Sequence, residues 1–575
     1  MRRIVGAAIC SILAAFLLPV QPHPTFAVPS PPAEAAEASI VEAGTVDAPL
    51  HESHAADVAA APASASTHQL LRPEVQRLIQ ATNWRGSDWG VLAVSLERGD
   101  TLVSMESDRP LAPASNQKLF TSAAALERLG PDFRFPTYLL TDGTIEQGVL
   151  EGDLILYGTG DPAISDRLLG SASEPFREFA QALTRKGVHT VSGDVIGDGT
   201  FFNGPTRHPS WRPNSLDHWY AAPVTALTFN ENVVTLRIRP GGPGNRPQVR
   251  TVPEGAELPL LNTGVSVTGS PAAPLQVIRN APDDSIQVRG QMNLRAGEVW
   301  RVMTVSDPEA FAASGLRHAL AEEGIRVEGA SRSLGTGERS SVSGLGLVAP
   351  AFIPGSEGRT LRTLAVHRSP PVSELLEVVN RNSHNLYSEA LLFALGRITS
   401  GDGSFVGGSQ ALEEFLVRRV EIPGTELSIQ DGSGLSNQNR ATPSSFVRLL
   451  SYVSASPYAD TFWASLPEAG NRLELGRMYR SPAAANLRAK TGTISRVSAL
   501  SGVVRTGDGD FVLFSVLANN VPSTWGAKRV EDDIGIRLAS FVRPAGSGAS
   551  DPSVIVESGP FGPRLSPQVP VDALR

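Results

Sequence analysis

Read for its alternation of apolar and polar positions, the chain divides into segments of very different character. Ile4 to Val20 is an almost unbroken apolar run, preceded by Arg2 and Arg3 and closed by Pro19 and Gln21. Thr25 and Ala27 follow at the −3 and −1 spacing of a small-residue processing site, so residues 1–27 read as an export signal. At fewer than ~20 residues the run is short for a membrane span, and no stable transmembrane anchor is expected once it is removed. Residues 28–67 show no periodicity. They are rich in Ala, Pro and Ser, with Glu34, Glu37, Glu42, Asp47, Glu52 and Asp57, and no Lys or Arg occurs between Arg3 and Arg72. Such a stretch buries too little apolar surface to offset its ordering entropy and is expected to be a disordered acidic linker. The Pro/Gly/Ser-rich end, 544–575, is expected to be a disordered tail.

Periodic patterning starts near Leu70. Val91 to Leu96 reads as a strand, Gly99-Asp100 as a turn and Thr101 to Ser104 as its hairpin partner. The spacing of Leu119, Ala123, Leu126 and Leu129 predicts a helix that begins near Ser115 and stops at Gly130. In the middle, Phe176, Phe179, Leu183, Gly187, Val188 and Gly193 are echoed by Phe311, Leu316, Leu320, Gly324, Ile325 and Gly329. Each set reads as a helix, a glycine stop and a short strand. Two α/β modules, one nested in the other, are expected over 141–360. Leu375 to Leu395 reads as one helix. Leu487–Ile494, Val497–Arg505 and Phe511–Ala518 read as an antiparallel meander, and Ala527–Val542 as a closing helix.

Composition narrows the function classes. The 575 residues carry a net charge of −8 and no long basic run, which argues against nucleic acid as a partner. The single cysteine, Cys10, lies in the signal, so disulfides and cysteine metal sites are excluded elsewhere. The histidines of the folded part lack ligand spacing, and neither a metal nor a cofactor is expected. Of the 50 basic residues only four are lysine: Lys118, Lys186, Lys490 and Lys528. Arginine cannot shed its proton in a protein and a desolvated lysine can, so each lysine is informative.

Two of the four stand in short motifs. Ser115-Asn116-Gln117-Lys118 opens a helix, where i and i+3 share a face and put a hydroxyl beside an amine. A serine is a weak nucleophile until a base takes its proton, and lysine can be that base once its pKa is lowered. Lys490-Thr491-Gly492 lies in a strand, where glycine allows a substrate backbone close approach. Between them, Ser383-His384-Asn385 stands at or within the first turns of a helix. Alone, the first is commonly a surface coincidence, the second a solvated strand face and the third a helix cap.

In this order the three motifs resemble the signature of penicillin-binding proteins and serine β-lactamases. Ser115 and Ser383 are 268 residues apart, Ser383 and Lys490 only 107. The long first interval is similar to that of the class C low-molecular-mass penicillin-binding proteins, the D-alanyl-D-alanine carboxypeptidase/endopeptidase family of the penicillin-binding protein 4 type. Pro113-Ala114-Ser115, Gly152-Asp153-Leu154, Gly160-Asp161-Pro162, Ala222-Pro223 with Asn232, and Asp431 to Ser436 also look like that family. The likeness spans about Leu70 to Val542. It implies an α/β (α+β) penicillin-binding/β-lactamase-like transpeptidase domain, an antiparallel sheet flanked by helices. That domain would comprise 68–140 and 361–543, interrupted by the inserted region.

The same resemblance implies roles. Ser115 would be acylated, with Lys118 as its base. Ser383 would relay a proton to the leaving amine, Asn385 would hold the substrate amide, and Lys490 would support the relay and attract the terminal carboxylate with Thr491. Gly492 would admit the substrate, and the N–H groups of Ser115 and Thr493 would bind the oxyanion. Asp431 to Ser436 would shape the turn beside the site. Two positions depart from the pattern. His384 stands where relatives often have Asp and should point away from substrate. Ser215 stands where relatives often have the aspartate that reads the peptide's diamino acid, leaving Tyr220 and Asp217 as the nearby candidates. The expected activity is an exported, extracytoplasmic serine D-alanyl-D-alanine carboxypeptidase/endopeptidase acting on peptidoglycan stem peptides and binding β-lactams covalently. The alternatives are a serine β-lactamase, for which no second-base motif is found, and a peptidoglycan- or β-lactam-binding protein without turnover.

Overall fold

A computed structural model describes residues 69–280, 285–334, 338–342, 352–354 and 360–544. The signal, the acidic linker and the tail beyond 544 lie outside the described residues. A five-stranded antiparallel sheet in the order Thr101–Met105, Asp88–Ser95, Phe511–Asn519, Val497–Arg505, Arg488–Ile494 carries Lys490-Thr491-Gly492 on its edge strand. The apolar run at Val91 needs two covered faces, and it has them. Leu92 and Val94 enter one core with the helices Gln117–Leu129 and Pro443–Ser454, while Trp89, Val91 and Ala93 enter another under Thr524–Ala539. This is why the strand reads as continuous rather than alternating. The meander and the hairpin lie where the periodicity put them, and the closing helix runs Thr524–Ala539.

The expected single helix at Leu375–Leu395 is two helices, Val372–Arg381 and Asn385–Ser400. The chain breaks at Asn382–His384, and Ser383 adopts φ +55°, which a helix cannot continue through. Apolar spacing carries on across the break because both helices bury the same side in one core. It therefore gave no sign of the interruption.

A second assembly is built on a six-stranded sheet, ordered Ser331–Ser333, Val195–Asp198, Leu154–Gly158, Pro136–Thr141, Thr360–Arg368, Phe352–Pro354. The two similar helix–Gly–strand units, with helices Glu174–Arg185 and Pro308–Glu322, lie side by side in it. A third copy of the strand portion accompanies them. Val149–Glu151, Thr190–Val191 and Arg326–Val327 are parallel neighbours, and so are Leu154–Gly158, Val195–Asp198 and Ser331–Ser333. At each junction a glycine is stacked on the next: Gly193 N donates to Gly152 O and Gly329 N to Gly193 O, both at 3.2 Å. Asp153 Oδ1 accepts from Asp194 N and Asp194 Oδ1 from Ala330 N. A Cβ at Gly193 or Gly329 would lie within 2.5 Å of those stacked carbonyls, so the ladder requires glycine. Residues 233–304 add small sheets, including Gln248–Val252, Val233–Arg239 and Val299–Thr304 in that order.

Candidate active site

Ser115 sits on a single 3-10 turn, Ala114–Asn116, which feeds the helix Gln117–Leu129. The turn is forced tight, with Ala114 at φ +47°. Two neighbouring segments close on it because they carry glycine. A Cβ at Gly434 would fall 1.8 Å from Ala114 O, and one at Gly492 would fall 2.8 Å from Pro113 O and 3.1 Å from Ser115 N. Alanine at Gly434 would push the Asp431–Ser436 turn off the Ser115 turn, and alanine at Gly492 would push the Arg488–Ile494 strand off it and crowd the Ser115 N–H.

Lys118 is fully buried. Its Nζ lies 3.1 Å from Ser115 Oγ, 2.7 Å from Asn385 Oδ1 and 2.7 Å from Ser433 O. Asn385 is oriented by its other end, since Nδ2 donates to Tyr220 O at 2.7 Å and so leaves Oδ1 facing the lysine. Two of the three neighbours of Nζ are therefore obligate acceptors. A neutral amine has two N–H bonds and one lone pair. The two carbonyl oxygens take the N–H bonds, and the lone pair is left for the Ser115 hydroxyl. Burial drives the Lys118 pKa down to about 7, against the opposing charges of Glu389 and Asp431.

Lys490 is equally buried, on the edge strand of the sheet. Its Nζ donates to Ser383 Oγ and to Thr491 O, both at 3.0 Å. Burial, then the charge of Lys118, holds its pKa well below the ordinary lysine value. The Asn116 amide ties this strand to the Ser115 turn, with its nitrogen donating to Lys490 O at 2.8 Å and its oxygen accepting from Ser501 Oγ at 2.7 Å. Thr493 is exposed on the same edge. The hydrogen bonds thus form two groups, Ser115–Lys118–Asn385 and Ser383–Lys490, tied together through Asn116 and flanked by Thr491, Gly492 and Thr493. Tyr220 joins it through its carbonyl, and its ring stacks on His218 at 5.2 Å. Asp217 stands apart: its carboxylate is engaged by Arg279 Nε at 2.9 Å on the outer side of that loop.

Sequence reasoning missed two supporting carboxylates. Glu389, one turn into the helix after Asn385, is fully buried, and its two oxygens accept from Gly432 N at 2.8 Å and Ser433 N at 2.9 Å. That clamp presents the Ser433 carbonyl to Lys118. The turn itself is wrapped around Asp431, which accepts from Gly434 N, Ser436 N, Asn439 Nδ2 and Trp211 Nε1.

The second is Glu231, from the inserted region. His384 is buried between Trp219 and Tyr387, with ring centroids at 5.6 and 4.8 Å, and its Nε2 lies 3.1 Å from Glu231 Oε2. Arg167 grips the same carboxylate twice, at 2.5 and 2.9 Å. Burial pushes the Glu231 carboxyl up, but His384 and Arg167 more than offset it and hold it well below the usual range. Asn230, Glu231 and Asn232 all have φ near +50°, so the insert accepts local strain to present this side chain. The strained Ser383 is thereby clamped through its neighbour. Glu231→Gln is expected to slow acylation by about tenfold, with no change in the depressed pKa of Lys118, as positioning losses do. An unchanged acylation rate, or a shifted pH profile, would contradict a purely positioning role.

A sequence model of the D-Ala-D-Ala carboxypeptidase 3 (S13) family matches residues 71–343 and 351–540. The D-alanyl-D-alanine carboxypeptidase of Actinomadura sp. (strain R39) is 32% identical over 498 residues, covering 84% of this chain and 87% of that protein. D-alanyl-D-alanine carboxypeptidase DacB of Haemophilus influenzae is 26% identical over 443 residues, covering 76% and 86%. The crystal structure of penicillin-binding protein 4 (dacB) from Haemophilus influenzae has the same fold, with a TM-score of 0.67 at 24% identity, over 81% of this chain and 99% of that one.

Proposed function

The chain belongs to the D-Ala-D-Ala carboxypeptidase 3 (S13) family, and from that membership we propose how its own residues carry out the reaction. It is a serine-type D-Ala-D-Ala carboxypeptidase, a hydrolase that works through an acyl-enzyme and binds penicillin. Lys118 takes the hydroxyl proton as Ser115 Oγ attacks the carbonyl carbon of the penultimate D-Ala. The C–O bond forms and the carbonyl electron pair moves onto oxygen, which faces the N–H groups of Ser115 and Thr493. Each such donor is worth ~2.7–4 kcal/mol in the transition state. Collapse breaks the C–N bond, and the leaving D-Ala amine takes a proton through Ser383, whose hydroxyl is resupplied from the lysine amines. Water then attacks the ester and returns Ser115. Lys490 and Thr491 draw the terminal carboxylate, while Asn385 and the edge strand hold the peptide backbone.

One observation supports this assignment: besides Ser115 Oγ, Lys118 Nζ has two carbonyl acceptors among the described residues, Asn385 Oδ1 and Ser433 O. The setting is proposed to be outside the cytoplasm, on peptidoglycan peptides. The basic, apolar and small-residue order of 1–27 supports it, and no helix among the described residues is long and apolar enough to cross a membrane.

The test follows a fluorescent penicillin and D-Ala release from an N-acyl-D-Ala-D-Ala peptide in parallel. A long-lived adduct and D-Ala release are expected for the natural chain, and neither for Ser115→Ala. Rapid adduct loss with penicillin turnover would identify a β-lactamase instead. An adduct without D-Ala release would identify a protein without peptidase turnover.

A further inference from the structure

Within a chain of net charge −8, residues 233–304 carry eight arginines against five carboxylates. The three-stranded sheet of this region has one buried face, with Val234, Leu236 and Ile238 wholly inside. The other face is open to solvent. In register across it stand Arg250, Arg237 and Trp300, then Val252, Thr235 and Val302. Trp300 is 59% exposed, Val302 45% and Val252 39%. An exposed patch of this kind marks an interaction surface.

The patch is organised. Glu298 accepts from the Trp300 indole N–H at 2.6 Å and from Arg237 and Arg239. The Arg237 guanidinium lies 4.9 Å over the indole. The ring is thus held in place with a broad apolar surface presented among guanidinium groups, and Arg250 and Arg239 stand exposed at its sides. An indole face suits the apolar side of a sugar ring, and arginine suits carboxylates, which it pairs bidentately.

The face also leads to the active site. Four residues beyond Trp300, ~13 Å along the strand, Thr304 donates to Leu216 O at 2.9 Å and to Asp217 O from its backbone N–H at 3.3 Å. The same loop ends at Tyr220, whose carbonyl receives Asn385.

We propose that this Trp300–arginine face binds peptidoglycan, with the indole against its amino-sugar rings and the arginines against the carboxylates of its stem peptides, and holds the polymer while a further stem peptide reaches Ser115. The proposal rests on the carboxypeptidase reading of the site for its choice of polymer. The test is pelleting of the full chain with purified sacculi stripped of teichoic acid, natural chain against a Trp300→Ala/Arg237→Gln/Arg250→Gln variant. The variant should bind sacculi about tenfold more weakly, and binding of the natural chain should weaken as salt is raised. Release of D-Ala from sacculi should fall in step, while hydrolysis of a small D-Ala-D-Ala peptide and penicillin labelling stay unchanged, which also certifies folding. Equal pelleting of the two proteins, or pelleting that requires teichoic acid, would overturn the proposal. Loss of penicillin labelling in the natural chain would instead overturn the reading of the site, whatever the sacculi results.

Discussion

Lys118→Arg is expected to lose acylation by penicillin by about 10²–10⁴-fold, the range over which a general base contributes, although it keeps a basic side chain with N–H donors at the same place. The reasoning is stoichiometric. Asn385 Oδ1 and Ser433 O each require an N–H, and Ser115 needs a lone pair opposite its hydroxyl. A neutral lysine meets all three demands. A guanidinium meets the first two and never the third, because it does not deprotonate in this setting. Thermal melting of the variant, with Lys118→Met beside it, separates loss of chemistry from loss of fold. Met has no N–H to give and leaves the Asn385 and Ser433 oxygens unpaired, so it should lower the melting temperature. Both variants should fail to label. Normal labelling of either would remove Lys118 from the mechanism.

The lysine could be found from sequence because composition made it rare and a local spacing made it chemical. Ser115–Lys118 is a contact within one helix turn, so its geometry is written in the sequence interval. Ser383–Asn385 and Lys490–Gly492 were legible only through their order along the chain, since their meeting with Ser115 depends on how the sheet and helices pack. The partners that complete the site had no such mark. Glu389 stands at a helical position that apolar spacing assigns to the core, and it is buried there, but as a carboxylate clamping the Gly432–Ser433 backbone. Glu231 reaches His384 from 153 residues away, and nothing local distinguishes it from a surface acid. The break at Ser383 was hidden for a related reason: apolar periodicity reports which side is buried, and both helices bury the same side. The third copy of the glycine ladder was hidden because it lacks the preceding helix that made the other two recognisable.

Glu389→Gln should move the acidic limb of the acylation rate to lower pH while lowering its plateau by about 10²-fold. In the proposed mechanism acylation requires neutral Lys118, so the rate should rise with pH through that group's pKa, which burial lowers to about 7. The Glu389 carboxylate favours the ammonium form and opposes that depression. Burial and Asp431 raise the Glu389 carboxyl in turn, and the N–H groups of Gly432 and Ser433 and the charge of Lys118 favour its ionised form. Removing the charge lets desolvation act with less opposition, and the lysine loses its proton at lower pH still. A shift of ~1 unit corresponds to about 1.4 kcal/mol of lost interaction between the two charges. The plateau falls for a separate reason. Two backbone N–H groups, of Gly432 and Ser433, converge on the two oxygens of Glu389. Glutamine replaces one oxygen with a donor, so one N–H loses its acceptor and the Ser433 carbonyl loses its fixed aim at Lys118. Glu389→Asp supplies the charge without the reach and should retain the natural midpoint with a lowered plateau. The pair of variants therefore divides charge from placement. An upward shift for Glu389→Gln, or an unmoved midpoint with a full plateau, would show that Glu389 neither holds the turn nor feels the lysine.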